Sequence, residues 1–354
     1  TTSELCRSLF VYTVSASPTL VALGKSALRA CDALRVPFLY EYLARYTFYK
    51  QFCAGDSTER VKDAAIRLRD EKLGCILAYV KEEAEANEAA FERTLASTLE
   101  TIDAAAVLPD NYCAIKLTAL APACVLADYA SAVRSGNQPC ETTRLAISAL
   151  QQRLAQIMNH ARKQQVRVLI DAEQDALQPA IDDIAVSCAR QFNRDTAVCY
   201  NTYQLYLKSA PTTLQRHFEQ AQREGWLFGA KLVRGAYIAS EPRHLIHDTK
   251  AETDAAYDAA IQFLAPHEKV EMMIASHNAE SLAFAATLDA KASIRFAQLH
   301  GMSGALSWHL CSLLGDGTQV YAYLPWGTVG ESMKYLVRRA DENASMRDRC
   351  VLER

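Results

Sequence analysis

Val166-Arg-Val-Leu-Ile-Asp-Ala-Glu173 is a short apolar run that ends in two carboxylates. Behind it Leu177, Ile181, Ile184 and Cys188 form one stripe at helical spacing, and a second short run follows, Ala197-Val-Cys-Tyr-Asn-Thr-Tyr-Gln204. Strand, amphipathic helix, strand is the unit from which parallel sheets are built. Outward in both directions the pattern recurs. Further apolar runs lie at 73–80, 113–120, 228–235, 270–278, 294–301 and 319–326, and Leu214, Phe218 and Ala221 repeat the helical stripe. Eight runs with helices between them predict an α/β fold, a parallel (βα)8 TIM-like barrel over residues 73–354. No G-x-G-x-x-G follows any run, which disfavours a doubly wound dinucleotide domain. Residues 1–72 read as a helical region. It comprises a stretch over 17–34, an aromatic-rich one over 38–52, and a third with Val61, Ala65, Leu68 and Lys72 behind the cap Asp56-Ser57-Thr58.

Composition narrows the class. Half of the 354 residues are hydrophobic, enough for a large core. A net charge of −3 with no basic run points to neither nucleic acid nor an anionic membrane surface. The eleven cysteines are scattered with no C-x-x-C pair, which suits buried thiols in a reducing compartment. No apolar run approaches the roughly 18 residues of a spanning helix. The chain starts at Thr1 and not at Met, consistent with removal of an N-terminal segment.

In such barrels chemistry collects where strands end. Those ends carry Lys116 and Thr118, Asp171 and Glu173, Asn201 and Gln204, Lys231 through Tyr237, Ser276-His-Asn278, Gln298 through His300, and Tyr321 with Tyr323. One polar group in an apolar strand is usually a satisfied structural one, whereas polar groups at seven strand ends favour a site. The neutral amides and His277 suit the edge of a heteroaromatic ring. Arg234 before Gly235-Ala236 suits a phosphate, because backbone and guanidinium can approach closely. There is no H-E-x-x-H, and His244 and His247 lack a carboxylate cluster, so a metal is not expected.

The last segment runs Tyr323-Leu-Pro-Trp-Gly-Thr-Val-Gly-Glu331, and a helix pattern is expected from about Glu331. Tyr335, Arg338 and Arg339 then share a face, with Glu342 one turn on. Two guanidiniums beside a phenol can grip a small carboxylate. The competing reading is a solvated helix whose arginines pair with Glu342.

These blocks together resemble the proline dehydrogenase (proline oxidase) family. They are Ile115-Lys-Leu-Thr-Ala-Leu120, Ile170-Asp-Ala-Glu-Gln174, Tyr200-Asn-Thr-Tyr-Gln204, Lys231-Leu-Val-Arg-Gly-Ala-Tyr237, Ala275-Ser-His-Asn-Ala279, Phe296-Ala-Gln-Leu-His-Gly-Met302 and Tyr335-Leu-Val-Arg-Arg339 through Glu342-Asn343. Arg45-Tyr-Thr-Phe-Tyr and Phe52-Cys-Ala-Gly55 look like the eukaryotic monofunctional branch. The resemblance implies a distorted barrel with the final helix over the active site, and FAD held non-covalently. It implies oxidation of L-proline to 1-pyrroline-5-carboxylate by hydride transfer to the flavin N5, with electrons passed to a quinone. Peripheral contact with the matrix side of the inner mitochondrial membrane goes with that acceptor.

Carried over by position, Lys116, Arg338 and Arg339 would hold the proline carboxylate. Leu232, Tyr237, Tyr323 and Tyr335 would enclose the ring, with Asp171 ordering the base of the pocket. Asp171, Ala172, Asn201, Lys231, Val233, Arg234, Gly235, Ala236, Thr249, Ser276, His277, Asn278, Gln298, Leu299 and Glu342 would surround FAD. Relatives often have Asp where Ala78 stands, so the first strand is assigned no site residue. Between Lys81 and Asn111 a single short helical region is expected, where some animal relatives carry a long insertion. Two other readings stay open: a Schiff-base aldolase using Lys116 or Lys231, and a non-enzymatic scaffold on a decayed barrel. The intact cationic and amide sets argue against decay.

Overall fold

The computed structural model describes residues 2–34, 36–80, 87–107, 110–302, 304–315, 317 and 319–352, apart from the side chains of residues 32, 37, 39 and 343–352. Eight parallel strands close into one barrel in chain order: β1 Gly74–Tyr79, β2 Tyr112–Ile115, β3 Arg167–Ile170, β4 Cys199–Gln204, β5 Phe228–Val233, β6 Val270–Ala275, β7 Ser293–Leu299 and β8 Val320–Trp326. Closure is made by β1 against β8, with Gly74 opposite Tyr321 and Tyr79 opposite Trp326. All eight expected runs are strands.

Strand alternation divides the core in two. Inside the barrel lie Ile76, Ala78, Tyr112, Ala114, Leu169, Tyr200, Met273, Ala297 and Tyr321. Tyr112 packs edge-on to Tyr200 and Tyr321, with centroids 5.8 and 4.9 Å apart. The alternate residues, such as Leu77, Ile115, Ile170 and Leu232, pack outward against the helices. The Leu177–Cys188 stripe is there as expected, buried in helix Gln178–Phe192 apart from its first residue, which precedes the helix.

Two expectations change. The second run leaves the barrel after Ile115, because Leu117–Ala119 turns as a 3-10 helix. Both Thr118 groups bind Glu173: its N–H donates to Oε1 at 3.1 Å and its hydroxyl to Oε2 at 2.7 Å. The helix between β1 and β2 is not short. It spans Glu88–Ala105, capped by Asn87, while residues 81–86 and 108–109 lie outside the described residues.

The N-terminal residues are helical as expected, in helices Thr2–Ser15, Pro18–Ala33, Pro37–Ala44 and Thr58–Asp70 with a π turn at Arg45–Tyr49. Ser57 caps the last of them. The earlier part packs on the final helix: Val11, Tyr49, Phe52 and Cys53 share a core with Val329, Tyr335 and Leu336. Lys25 pairs with Asp341 at 2.7 Å. The final helix runs Val329–Leu352, two residues earlier than expected at its start. Thr328 and Glu331 form a capping box there, with Glu331 Oε2 accepting from the Thr328 N–H at 2.9 Å and Glu331 N–H donating to Thr328 Oγ1 at 3.3 Å. The ten cysteines among the described residues are all free thiols.

Candidate active site

At the C-terminal mouth of the barrel the residue after β3, Asp171, is 7% exposed. Its Oδ1 accepts from Lys231 Nζ of β5 at 2.6 Å, and its Oδ2 from the Tyr323 hydroxyl of β8 at 2.9 Å. The same ammonium lies 5.1 Å from the Tyr323 ring centroid. Burial pulls the Asp171 carboxyl upward. The Lys231 and Lys116 charges and the two hydrogen bonds outweigh it and hold it below its ordinary value. Asp171 is therefore an ionised hub that orients a lysine and a phenol.

Lys116, just past β2, donates to the Tyr237 hydroxyl at 3.3 Å. Tyr237 lies beyond β5, and its hydroxyl is raised by burial, opposed chiefly by Lys116, with Arg338 of the final helix acting in the same sense. Lys116 and Tyr237 thus meet from two elements, within the field of Arg338 on a third. Glu173 lies beside them, its carboxyl raised by burial against the pull of Lys116 and Thr118.

The final helix closes the top. Arg339, 4% exposed, donates to Glu342 Oε1 at 2.6 Å, and its guanidinium lies 4.8 Å from the Tyr335 ring centroid. The Arg339–Glu342 pair of the competing reading is therefore present, yet on a buried face over the mouth and not on a solvated helix. Arg339 Nε and the Tyr335 hydroxyl are buried without a hydrogen-bond partner among the described residues. Burial raises the Glu342 carboxyl, with Arg339 and Arg338 opposing. A cleft beneath is lined by Ala78, Tyr79, Lys116, Asp171, Tyr323 and Tyr335, among others. The Asn343 side chain lies outside the described residues.

A second set lies on the β5–β7 rim. Arg234 donates from Nε to Asp254 at 2.8 Å and from its other two nitrogens to Ser276 at 2.6 Å and Ser281 at 2.8 Å. Gly235 follows at φ +150°, where a Cβ would lie 1.7 Å from the Tyr206 ring, so only glycine fits. Ala236 N–H reaches Gln204 Oε1 at 3.5 Å. Thr249 and Asn278 cap helices Lys250–Leu264 and Ala279–Ala286, which brings two helix N-termini to this rim. His277 Nε2 accepts from Leu299 N–H at 3.1 Å, while its buried Nδ1 has no partner among the described residues. Burial, then Arg339, lowers His277 to about 4, so the ring is neutral and Nδ1 carries the proton. Gln298 donates to the Ser276 carbonyl at 3.4 Å and accepts from Ser307. Ala172 and Val233 lie beside Asp171 and Arg234 at the ends of their strands.

Strand alternation removes two expected side chains from this gathering. Because Lys231 faces inward, Leu232 faces the helices, fully buried in the outer core. Asn201 likewise faces outward and donates to Asp182 at 2.8 Å. Other residues take part that the sequence left unassigned. Glu173 and Gln204 carried a signal as strand-end polar groups, and Gln204 donates to the Glu173 carbonyl at 2.8 Å. Tyr79 of β1 and Glu331 carried none.

Comparison with known proteins shows the family. The family model for proline dehydrogenase matches residues 61–350. A probable mitochondrial proline dehydrogenase of Schizosaccharomyces pombe is 32% identical over 99% of this chain and 86% of its own length. A hydroxyproline dehydrogenase of Xenopus laevis is 30% identical over 97% of this chain and 83% of its own. Among solved structures, proline utilization A from Bdellovibrio bacteriovorus, inactivated by N-propargylglycine, superposes with a TM-score of 0.72 at 20% identity. It covers 97% of this chain, which spans 37% of that longer protein, and at such identity the likeness concerns the fold. On the extent of these matches, the chain is a member of the proline dehydrogenase family of oxidoreductases.

Proposed function

We propose that this chain oxidises L-proline to 1-pyrroline-5-carboxylate, with FAD as cofactor and a quinone as final electron acceptor. The observation that carries the reading is the Asp171–Lys231–Tyr323 hub in a cleft that Lys116 and Tyr335 also line, with the Arg339 guanidinium 4.8 Å from the Tyr335 ring centroid. A lysine in the cleft wall and two arginines on the helix that carries Tyr335 suit a carboxylate, and Tyr323 and Tyr335 suit a five-membered ring. Lys116, Arg338 and Arg339 hold the carboxylate; Tyr237, Tyr323 and Tyr335 wall the ring. Asp171 fixes Lys231 and Tyr323 so that neither reorganises when substrate arrives. The closed final helix excludes water from the reacting carbon.

The residues fit a flavin dinucleotide. Buried His277 Nδ1 and Arg339 Nε have no partner among the described residues and are free to donate. The Gly235–Ala236 backbone, the Arg234 guanidinium and the two helix N-termini capped by Thr249 and Asn278 suit a pyrophosphate. Lys231, Ala172, Val233, Ser276, Gln298, Leu299 and Glu342 complete the surround. FAD, when bound, supplies the two-electron acceptor for the ring carbon next to nitrogen. An aldolase reading through Lys231 finds less support, since its Nζ is already engaged by the Asp171 carboxylate at 2.6 Å.

We also propose peripheral contact with an anionic bilayer through the N-terminal helices, on the matrix side of the inner mitochondrial membrane; the name of the fission yeast relative supports the mitochondrial part. Phe38, Tyr42 and Tyr46 are 69%, 64% and 59% exposed at helical spacing, and Leu5, Leu9 and Leu23 of the two preceding helices are exposed as well. Residues 1–50 hold six Lys and Arg against three Asp and Glu in a chain of net −3. Among the described residues no single helix is long and apolar enough to cross a membrane. The division into a helical region 1–72 and a barrel 73–354 is part of this proposal.

The test is a visible spectrum of the purified protein. A yellow protein that releases FAD on denaturation and is bleached anaerobically by L-proline is expected. A colourless protein that cannot be reconstituted with FAD would overturn the reading.

A further inference from the structure

The reading of Ala78 leaves β1 without a site residue, yet its last residue, Tyr79, stands in the wall of the cleft. We infer that Tyr79 and Glu331 form a latch that sets the tilt of the final helix, and so act as positioning residues for Arg338 and Arg339. The Tyr79 hydroxyl donates to Glu331 Oε1 at 2.8 Å. Glu331 Oε2 accepts from the Thr328 N–H at 2.9 Å and from its hydroxyl at 2.8 Å. One carboxylate therefore ties the first turn of the helix both to its own cap and to β1.

The surroundings fix both ends of this contact. The Tyr79 ring packs on Trp326 with centroids 5.1 Å apart, and Val80 N–H donates to the Trp326 carbonyl at 3.0 Å. Between strand and helix stands Gly327 at φ +145°, where a Cβ would come 2.7 Å from Val80 Cγ2. On the other side the junction is held by the N-terminal region. Ala54 N–H donates to the Pro325 carbonyl at 2.8 Å, Gly327 N–H to the Gly55 carbonyl at 3.0 Å, and the Tyr49 hydroxyl to the Gly327 carbonyl at 2.5 Å. Those bonds hold the turn, whereas Tyr79–Glu331 reaches the helix itself.

Leverage makes the contact matter. Glu331 shares a helix face with Tyr335, four residues on, and with Arg338 and Arg339, seven and eight residues on. At 1.5 Å per residue Arg338 lies about 10 Å along the axis from the latch. A tilt of about 10° would therefore move its guanidinium by roughly 2 Å, beyond the ~0.5 Å within which a binding constellation must be held. Without the latch the free enzyme would hold the arginines in place for a smaller fraction of the time, and apparent affinity falls by that fraction. Bound carboxylate restores the arrangement, so the chemical step is spared.

The inference rests on the proline-oxidising reading for its kinetic test, and amide exchange tests it independently. Steady-state kinetics with L-proline and a soluble quinone should give a KM raised about ten-fold in Tyr79→Phe, from loss of one charge-assisted hydrogen bond, and at least as much in Glu331→Ala, which also removes the Oε2 bonds to Thr328. The kcat should stay within two-fold and the FAD content unchanged. Glu331→Gln keeps an acceptor for Tyr79 and should lie near wild type. Tyr79→Phe/Glu331→Ala should be no worse than the weaker single variant. Thr328→Ala breaks only the cap and should leave KM near wild type. Amide exchange across residues 329–339 of the free enzyme should quicken in Tyr79→Phe. KM values within two-fold of wild type in both single variants, multiplicative effects in the double variant, an equal KM rise in Thr328→Ala, or unchanged exchange would each overturn the latch. A wild-type protein inert to proline would overturn the functional reading instead, and the exchange result would still decide the latch.

Discussion

Replacing Asp171 by asparagine keeps the shape of the side chain and deletes the charge at the centre of the site. In the structure that carboxylate is 7% exposed and bonds Lys231 at 2.6 Å and Tyr323 at 2.9 Å. An amide oxygen can still accept one of these bonds, but the Lys231 ammonium is left buried without its counter-charge. Breaking a buried pair from one side costs roughly 3–5 kcal/mol. The retained acceptor puts the expectation near the lower end, about 3 kcal/mol. For a chain of this size that corresponds to a Tm lower by roughly 4 °C, read by circular dichroism at pH 7. The pH dependence provides a second check. The folded-state pKa of Asp171 is depressed, so its contribution is fully present above the unfolded value near 3.9 and is lost as pH falls through the folded value. The gap between wild type and variant should therefore be flat from pH 7 to about 5 and narrow only below about 4. A Tm within 1 °C of wild type would refute the hub. A gap that closes between pH 7 and 5 would mean that a different group is responsible.

Arg338→Ala and Arg339→Ala each remove charge-assisted bonds worth roughly 1.5–3 kcal/mol, so kcat/KM for L-proline should fall about 10- to 150-fold with FAD retained; normal kinetics in both would return the pair to a surface role. Tyr323→Ser should lower proline turnover and shift the kcat/KM ratio toward trans-4-hydroxy-L-proline, because a serine leaves room for the added hydroxyl and can bond it, whereas the phenol ring leaves it unpaired at about 1–3 kcal/mol. An unchanged ratio would show that Tyr323 does not touch the substrate ring. Phe38→Ser/Tyr42→Ser/Tyr46→Ser should abolish flotation with phosphatidylcholine vesicles containing anionic phospholipid while activity with a soluble quinone persists; flotation equal to wild type would sink the bilayer proposal.

Much of this was legible in the chain because it depends on period and on spacing. Eight apolar runs alternating with 3.6-period stripes leave few options other than a closed parallel barrel, and polar groups at run ends fall at its mouth. Helical spacing likewise puts Tyr335, Arg338, Arg339 and Glu342 on one face. Which way a strand residue faces is a different matter. Asn201 and Leu232 stand beside inward residues in the sequence, and a step of one residue carries each to the helical side.

Partners far apart along the chain were out of reach for the same kind of reason. Hydrophobic pattern records burial, not pairing, so nothing in the order of residues says that Tyr79 meets Glu331 across 252 positions or that Tyr323 meets Asp171 across 152. Thr118 reads as an ordinary residue of the second run until Glu173 captures both its N–H and its hydroxyl and bends the chain out of the barrel. The sequence by itself determined the barrel, the chemistry gathered at its mouth and the cationic face of the last helix, since periodicity and side-chain type are local properties. Only the tertiary structure decided which carboxylate neutralises which lysine, which strand residues look inward and what holds the final helix in place, since closing the barrel is what brings those distant groups within hydrogen-bonding range.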